Sequence, residues 1–369
     1  MTAEPLKPRD PKGHRTGFTT GACAAASAKA AVRYFLQGTP LEEIETILPN
    51  RQKVTFPLKR CEKNGDAVVT SIIKDAGDDP DCTHGAEITT TVTLKREAGI
   101  ELVDGSGVGH ITKPGLGLEL GSPSITPIPR RNITEMVLEE LKNSPEFKGA
   151  RIVISVPSGE KMAQETTNAR LGILGGISIL GTTGVVQPYS TAAFRVSVIQ
   201  EIVVAAAQGI RELVMTTGGK SEALAMRIFP DFREESFIQV GDFIGVGLKS
   251  AVRNKMSRAH IVGMMGKLSK MADGKMQTHV AGSQVNTELL ARIAKEAGGS
   301  KDLCEEIFAA NTARHALELA AKENLDNFTT LICRDVCRVA EDYIAGALNV
   351  HTYLFDFDGK LLARYPIKD

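Results

Sequence analysis

Tryptophan is absent from the 369-residue chain, tyrosine occurs five times, and aromatic residues make up only 5% of it. This scarcity removes the usual anchors of carbohydrate-stacking and antibody-like surfaces. An excess of either charge is missing too: 44 acidic residues balance 44 basic ones, and no long basic run occurs. Nucleic acid is therefore not the expected partner. No run of 18 apolar residues is free of glycine or charge, so no membrane span is expected. Residues Met1 to Asp10 are polar, contain two prolines, and read as a loose tail and not as a signal peptide. The six cysteines include no C-x-x-C pair. They read as small buried hydrophobes in a reducing cytosol, which makes a cytoplasmic location the expectation. Cys333 and Cys337 are four apart on an expected helix, a spacing that does not suit a disulfide. No zinc, Walker, kinase or G-x-S-x-G motif is present, and no resident metal is expected.

What the chain has in quantity is glycine, 35 residues concentrated in a few motifs. The most unusual is Arg170 to Gly184, R-L-G-I-L-G-G-I-S-I-L-G-T-T-G, in which five glycines alternate with Ile and Leu. It is too apolar for a solvent loop and too rich in glycine for an ordinary helix. Backbone packed closely against a ligand is one reading, and tight strand-turn packing is the other. A second glycine loop, Thr216-Thr217-Gly218-Gly219-Lys220, follows another apolar run.

The length suits two domains. Residues 13–148 combine an alanine-rich helix from Gly21, capped by Thr19 or Thr20, with strand-like runs at 54–58, 67–73, 88–94 and 100–103. Lys63-Asn64-Gly65-Asp66 between two of these runs is a hairpin signal. Residues 149–350 repeat strand, glycine turn and helix, the pattern of a parallel α/β sheet whose loops converge on a ligand at one edge. Residues 351–369 read as a terminal hairpin. The fold class expected is therefore α+β and α/β, an antiparallel sheet part with helices and a parallel α/β part.

Two loops stand out chemically. Asp75 to Gly85 holds four carboxylates and His84, which suits a substrate-orienting or catalytic loop, a hard-metal site or a plain acidic turn. Asp104 to Gly117 carries G-x-G-x-G, but Pro114 and further glycines replace the helix that a dinucleotide fingerprint requires. In the α/β part a nucleotide-like cofactor fits the glycine loops. Gly175, Gly176, Thr182, Thr183, Gly184, Thr217, Gly218 and Gly219 would line its site, and Asp242 would accept from a ribose hydroxyl or the adenine amine.

R-T-G-F-T-T-G-A-C-A-A-A from Arg15, the Asp75 to Gly85 loop, G-V-G-H-I-T-K-P-G from Gly107, the Arg170 to Gly184 stretch, T-T-G-G-K-S-E from Thr216 and G-M-M-G-K-L from Gly263 occur in that order. Together they resemble the cobalt-precorrin-5B carbon-1 methyltransferase family of anaerobic cobalamin biosynthesis, over essentially the whole chain. The resemblance implies a two-part fold with its parts intertwined. It also implies an enzyme that moves the methyl of S-adenosyl-L-methionine to carbon 1 of a cobalt corrinoid, giving cobalt-precorrin-6A. The cobalt then belongs to the substrate. For this chemistry His84 is the expected base, with its tautomer set by Asp78, Asp79 or Asp81. Arg15, Lys113 and Lys267 are expected partners for the carboxylates of the corrinoid rim, with Thr19 and Thr20 beside them. A homo-oligomer is allowed. The alternative functions are a nicotinamide-dependent reductase and a non-catalytic corrinoid carrier.

Overall fold

In the computed structural model, which describes residues 9–142, 144–279 and 283–367, Gly17–Phe18 (β1) leads into the alanine-rich helix α1, Thr20–Gln37. Thr19 caps this helix, its Oγ1 accepting from the Ala22 N–H at 3.2 Å. Gly38, at φ 72°, closes it by donating to the Tyr34 carbonyl. Every residue from Thr20 to Val32 is buried. Alanine makes this feasible, because a helix with small side chains on every face admits neighbours on every face.

Contacts divide the chain into two compact units, one ending at Thr191 and one beginning at Ala192. In the first, β2 (Glu43–Ile47) and β3 (Lys53–Pro57) form a hairpin. The strands β4 (Arg60–Asn64), β5 (Ala67–Ile73), β6 (Glu87–Lys95) and β7 (Gly99–Asp104) follow. Then come β8 (Gly107–Val108), β9 (His110–Ile111), helix α2 (Pro127–Leu141) and β10 (Gly149–Ser155). The unit closes with α3 (Gly159–Ala163), β11 (Ile173–Leu174), β12 (Gly176–Ile177) and β13 (Val185–Val186). Its main sheet has the order β4-β5-β6-β10-β7, antiparallel except where β10 runs parallel to β7. The helices α1 and α2 pack together, and α1 lies on β5 and β6. There the Ser27 hydroxyl meets the hydroxyls of Thr70 at 3.0 Å and Thr90 at 2.9 Å, so these three buried hydroxyls bond one another.

The second unit contains α4 (from Thr191 to Ala207), β14 (Glu212–Thr216), α5 (Gly219–Ile228), β15 (Phe237–Gln239), α6 (Ile244–Arg253), β16 (Arg258–Met264) and α7 (Met265–Ala272). A helical run follows: α8 (Thr287–Glu296), α9 (Lys301–Phe308), α10 (Ala313–Lys322) and α11 (Asn327–Tyr343). The chain ends in β17 (Asn349–Phe355) and β18 (Leu361–Tyr365). The sheet order is β15-β14-β16-β17-β18, with the first four strands parallel and β18 antiparallel.

The expected mixture of an antiparallel and a parallel sheet with helices is present. The expected division of the chain differs in two places. Strand 149–155 does not open the parallel part: it pairs with β6 along seven residues and with β7 along six, and so completes the first sheet. The terminal hairpin is not a separate segment either, because β17 lies parallel to β16 over its whole length. Both strands find their partners far away in sequence, which local patterning does not reveal. Among the described residues no helix is long and apolar enough to cross a membrane. All six cysteines are free; Cys333 and Cys337 are buried, and burial pushes the Cys337 thiol up to about 12.

Candidate active site

The order β15-β14-β16-β17 contains a reversal. From β14 the chain passes through α5 to β15 on one side, and from β16 it passes on to β17 on the other. The carboxyl ends of β14 and β16 therefore flank the crevice where open α/β sheets bind ligands. Thr217, Gly218 and Gly219 leave β14 there and enter α5. Gly218 has φ 154°, a backbone angle that side chains disfavour, and a Cβ on Gly218, Gly219 or Gly266 would meet nothing within 4 Å. The backbone here borders open space.

Lys267 in α7 crosses this edge. Its Nζ donates to the Thr217 carbonyl at 2.8 Å and lies 3.1 Å from Asp242 Oδ1. Asp242 follows β15, and Thr278 donates to the same Oδ1 at 2.9 Å. Burial pushes the Asp242 carboxyl up, but the Thr278 and Lys267 hydrogen bonds and the lysine charge outweigh it and hold the group below its ordinary value. Asp242 is thus an anion at neutral pH. Among the described residues both side-chain hydrogen bonds go to Oδ1, which leaves Oδ2 to receive ligand donors. Lys267 was expected to hold substrate; instead its charge is spent on Asp242 and on fixing the glycine loop. Thr278 was not anticipated. It lies 36 residues from Asp242, and no sequence pattern joins them.

The expected cofactor set divides. Thr217, Gly218, Gly219 and Asp242 belong to this edge, whereas Gly175, Gly176, Thr182, Thr183 and Gly184 lie in the first unit. There the glycines serve close packing of the protein on itself. A Cβ on Gly176 would stand 2.1 Å from the Gly107 carbonyl, one on Gly159 2.1 Å from the same oxygen, and one on Gly181 2.4 Å from Thr19 Oγ1. The strand-turn packing reading therefore accounts for Gly176. Gly175 lies against His110, Gly184 lies against Leu48 and Pro49, and Thr182 and Thr183 are exposed.

Thr19 and Thr20 are also committed to the fold. Thr19 caps α1, and Thr20 Oγ1 accepts from the Leu180 N–H at 2.9 Å and lies near the Ser178 and Leu180 carbonyls. Both hydroxyls are used in fixing the helix start and the glycine-rich stretch. Lys113 lays its stem over Gly172.

The acidic loop is clamped by the N-terminal segment. Arg15 Nη1 meets Asp75 Oδ2 at 2.5 Å, its Nη2 donates to the Gly77 carbonyl, and its backbone N–H donates to Asp78 Oδ2 at 2.7 Å. Asp79 accepts from the Tyr189 N–H, and Asp81 takes the ammonium of Lys74, itself 1% exposed, at 2.6 Å. The expectation that Asp78 and Asp79 act on His84 does not hold. His84 Nδ1 instead accepts from the Ala76 N–H at 3.1 Å, and the carboxylate nearest to that nitrogen is Asp75, at 3.9 Å. Accepting at Nδ1 places the proton of the neutral ring on Nε2, on a side chain that is 52% exposed. His84 in this state offers a hydrogen-bond donor, not a base. Arg15, expected to face substrate, is consumed by the loop. Among the described residues no group of three or more His, Cys, Asp or Glu is placed to hold a metal ion.

Residues 7–188 match the CbiD family model, which ends just before the boundary between the units, and residues 277–366 match the model of the CbiD C-terminal domain. A protein of Leptospira borgpetersenii named cobalt-precorrin-5B C(1)-methyltransferase is 53% identical over 95% of each chain. A Thermus thermophilus protein of the same name is 48% identical over 98% of this chain and 97% of its own. The 1.9 Å crystal structure of a cobalamin biosynthesis protein (CbiD) from Archaeoglobus fulgidus is similar with a TM-score of 0.39 and 24% identity, covering 85% of each chain. The chain belongs to the CbiD family.

Proposed function

We propose that this chain transfers the methyl group of S-adenosyl-L-methionine to carbon 1 of cobalt-precorrin-5B, giving cobalt-precorrin-6A. The observation that carries this reading is the identity of 53% over 95% of the chain with a relative named for that methylation. The edge of the second sheet fits the cofactor. Asp242 Oδ2 would accept from a ribose hydroxyl, and the backbone of Gly218 and Gly219 allows close approach. The first N–H groups of α5 point their partial positive charge toward a carboxylate. Bound there, S-adenosyl-L-methionine supplies a methyl already activated by its sulfonium.

The protein's task is positioning. It must hold the corrinoid carbon in line with the methyl and exclude water, and alignment of this kind can contribute about 7–11 kcal/mol. The carbon–sulfur bond breaks with its electron pair left on sulfur, while the conjugated corrinoid provides the pair for the new bond. No protein nucleophile is needed. Lys267 keeps the Thr217–Gly219 backbone in place.

Calorimetric titration with S-adenosylhomocysteine, with NADPH as control, tests the cofactor reading. Binding of the homocysteine derivative alone is expected. Binding of NADPH alone would favour a reductase and contradict the proposal.

A further inference from the structure

The hairpin β2–β3 turns through Leu48 to Gln52 and faces one stripe of α2. Ile128, Arg131, Asn132, Glu135 and Met136 recur at helical spacing on that stripe. Turn and stripe line a small, open concavity of about 50 Å³, and the guanidinium-bearing residues Arg51 and Arg131 both border it. The pocket is already formed. Asn132 Nδ2 donates to the Ile47 carbonyl at 3.0 Å, which ties helix to hairpin, and the Asn50 N–H donates to Thr183 O, which ties the turn to the glycine-rich stretch.

Arg51 is out of place as a turn residue. Its φ is 71°, in the left-handed region that favours glycine or asparagine, and such strain in other residues commonly accompanies function. Its side chain makes no hydrogen bond or ion pair among the described residues. Arg131 has Glu135 at 3.9 Å. Two cations against one carboxylate leave the pocket one positive charge in excess. Leu48, Pro49 and Met136 give the remaining wall an apolar part, beside the polar Asn132. Cationic heads beside a partly apolar wall suit a short aliphatic chain ending in an anion.

We propose that this pocket is a carboxylate site that receives one alkyl-carboxylate arm of the corrinoid rim, with Arg51 as the principal partner and Arg131 beside it. The assignment rests on the corrinoid reading above. It puts substrate recognition on residues other than Arg15, whose guanidinium the acidic loop consumes.

The test is binding of cobyrinic acid, a cobalt corrin with free rim carboxylates, followed by its visible absorbance. The same corrin with its carboxylates converted to amides is the control. Wild-type protein is expected to bind the acid more tightly than the amide. Arg51→Gly and Arg131→Gln should each weaken the acid by roughly tenfold, in keeping with a charge-assisted hydrogen bond, and leave the amide unchanged. Arg51→Gly should also leave the melting temperature equal or higher, because glycine suits φ 71°. This separates loss of binding from loss of fold. Affinity for the acid that survives both substitutions overturns the assignment and leaves the corrinoid reading intact. A wild-type protein that binds neither corrin overturns the corrinoid reading and the assignment with it.

Discussion

Lys267 and Asp242 are paired at 3.1 Å across the carboxyl edge of the second sheet, and the same ammonium holds the Thr217 carbonyl at 2.8 Å. The pair couples the loops that follow β14, β15 and β16. It gives the cation at this edge a role in holding the glycine loop. Asp242→Asn keeps the shape and removes the charge. We expect S-adenosylhomocysteine affinity to fall by ten- to a hundredfold, on the basis of about 1.5–3 kcal/mol for a hydrogen bond to a charged group. Calorimetry reads the change, and circular dichroism should show an unaltered fold.

The two kinds of glycine give opposite results. Gly219 starts α5 with open space at its Cβ position, so Gly219→Ala should leave the melting temperature equal or higher and weaken S-adenosylhomocysteine by about tenfold. Gly176→Ala would push a methyl to 2.1 Å from the Gly107 carbonyl and should cost about 1–3 kcal/mol of stability. Urea titration of both variants, with ligand binding on the folded fraction, distinguishes them.

Both readings of the glycine-rich stretch are visible in Arg170 to Gly184, and nothing local chooses between them. The choice depends on Gly107, which reaches Gly176 only through long-range pairing. By contrast the repeats around β14, α5, β15, α6 and β16 were legible, because each strand is a short apolar run closed by glycine or a polar turn. The acidic loop was legible as a cluster and not as a network. Lys74 looks like an ordinary strand-end lysine in the sequence, yet it is buried against Asp81. The Ala76 N–H that sets the state of His84 leaves no trace in residue identity.

His84 should not behave as a general base. Loss of such a base typically costs 10²- to 10⁴-fold in rate. We expect His84→Gln to lower single-turnover methyl transfer by less than about tenfold and to leave the shape of its pH profile unchanged. A larger loss accompanied by disappearance of an ionisation near neutrality would restore the base.

Acid should weaken the second unit through His260. This ring is 3% exposed, between Glu212 at 3.2 Å, Arg258, His351, Tyr353, Phe229 and Phe232. Burial lowers its pKa from 6.5; the Glu212 hydrogen bond opposes this and His351 adds to it. The unfolded chain then takes the proton first. Stability is full above about pH 6.5 and is lost as pH falls from there through the depressed folded value. Melting curves between pH 8 and 5 should show the decline, and His260→Gln should flatten it.

The most direct measurement is turnover itself. Purified chain, cobalt-precorrin-5B and S-adenosylmethionine carrying a ¹³C methyl should yield a corrinoid with the label on carbon 1 by NMR, together with an equal amount of S-adenosylhomocysteine. A label on another ring position, or none in a protein that binds both ligands, would contradict the account.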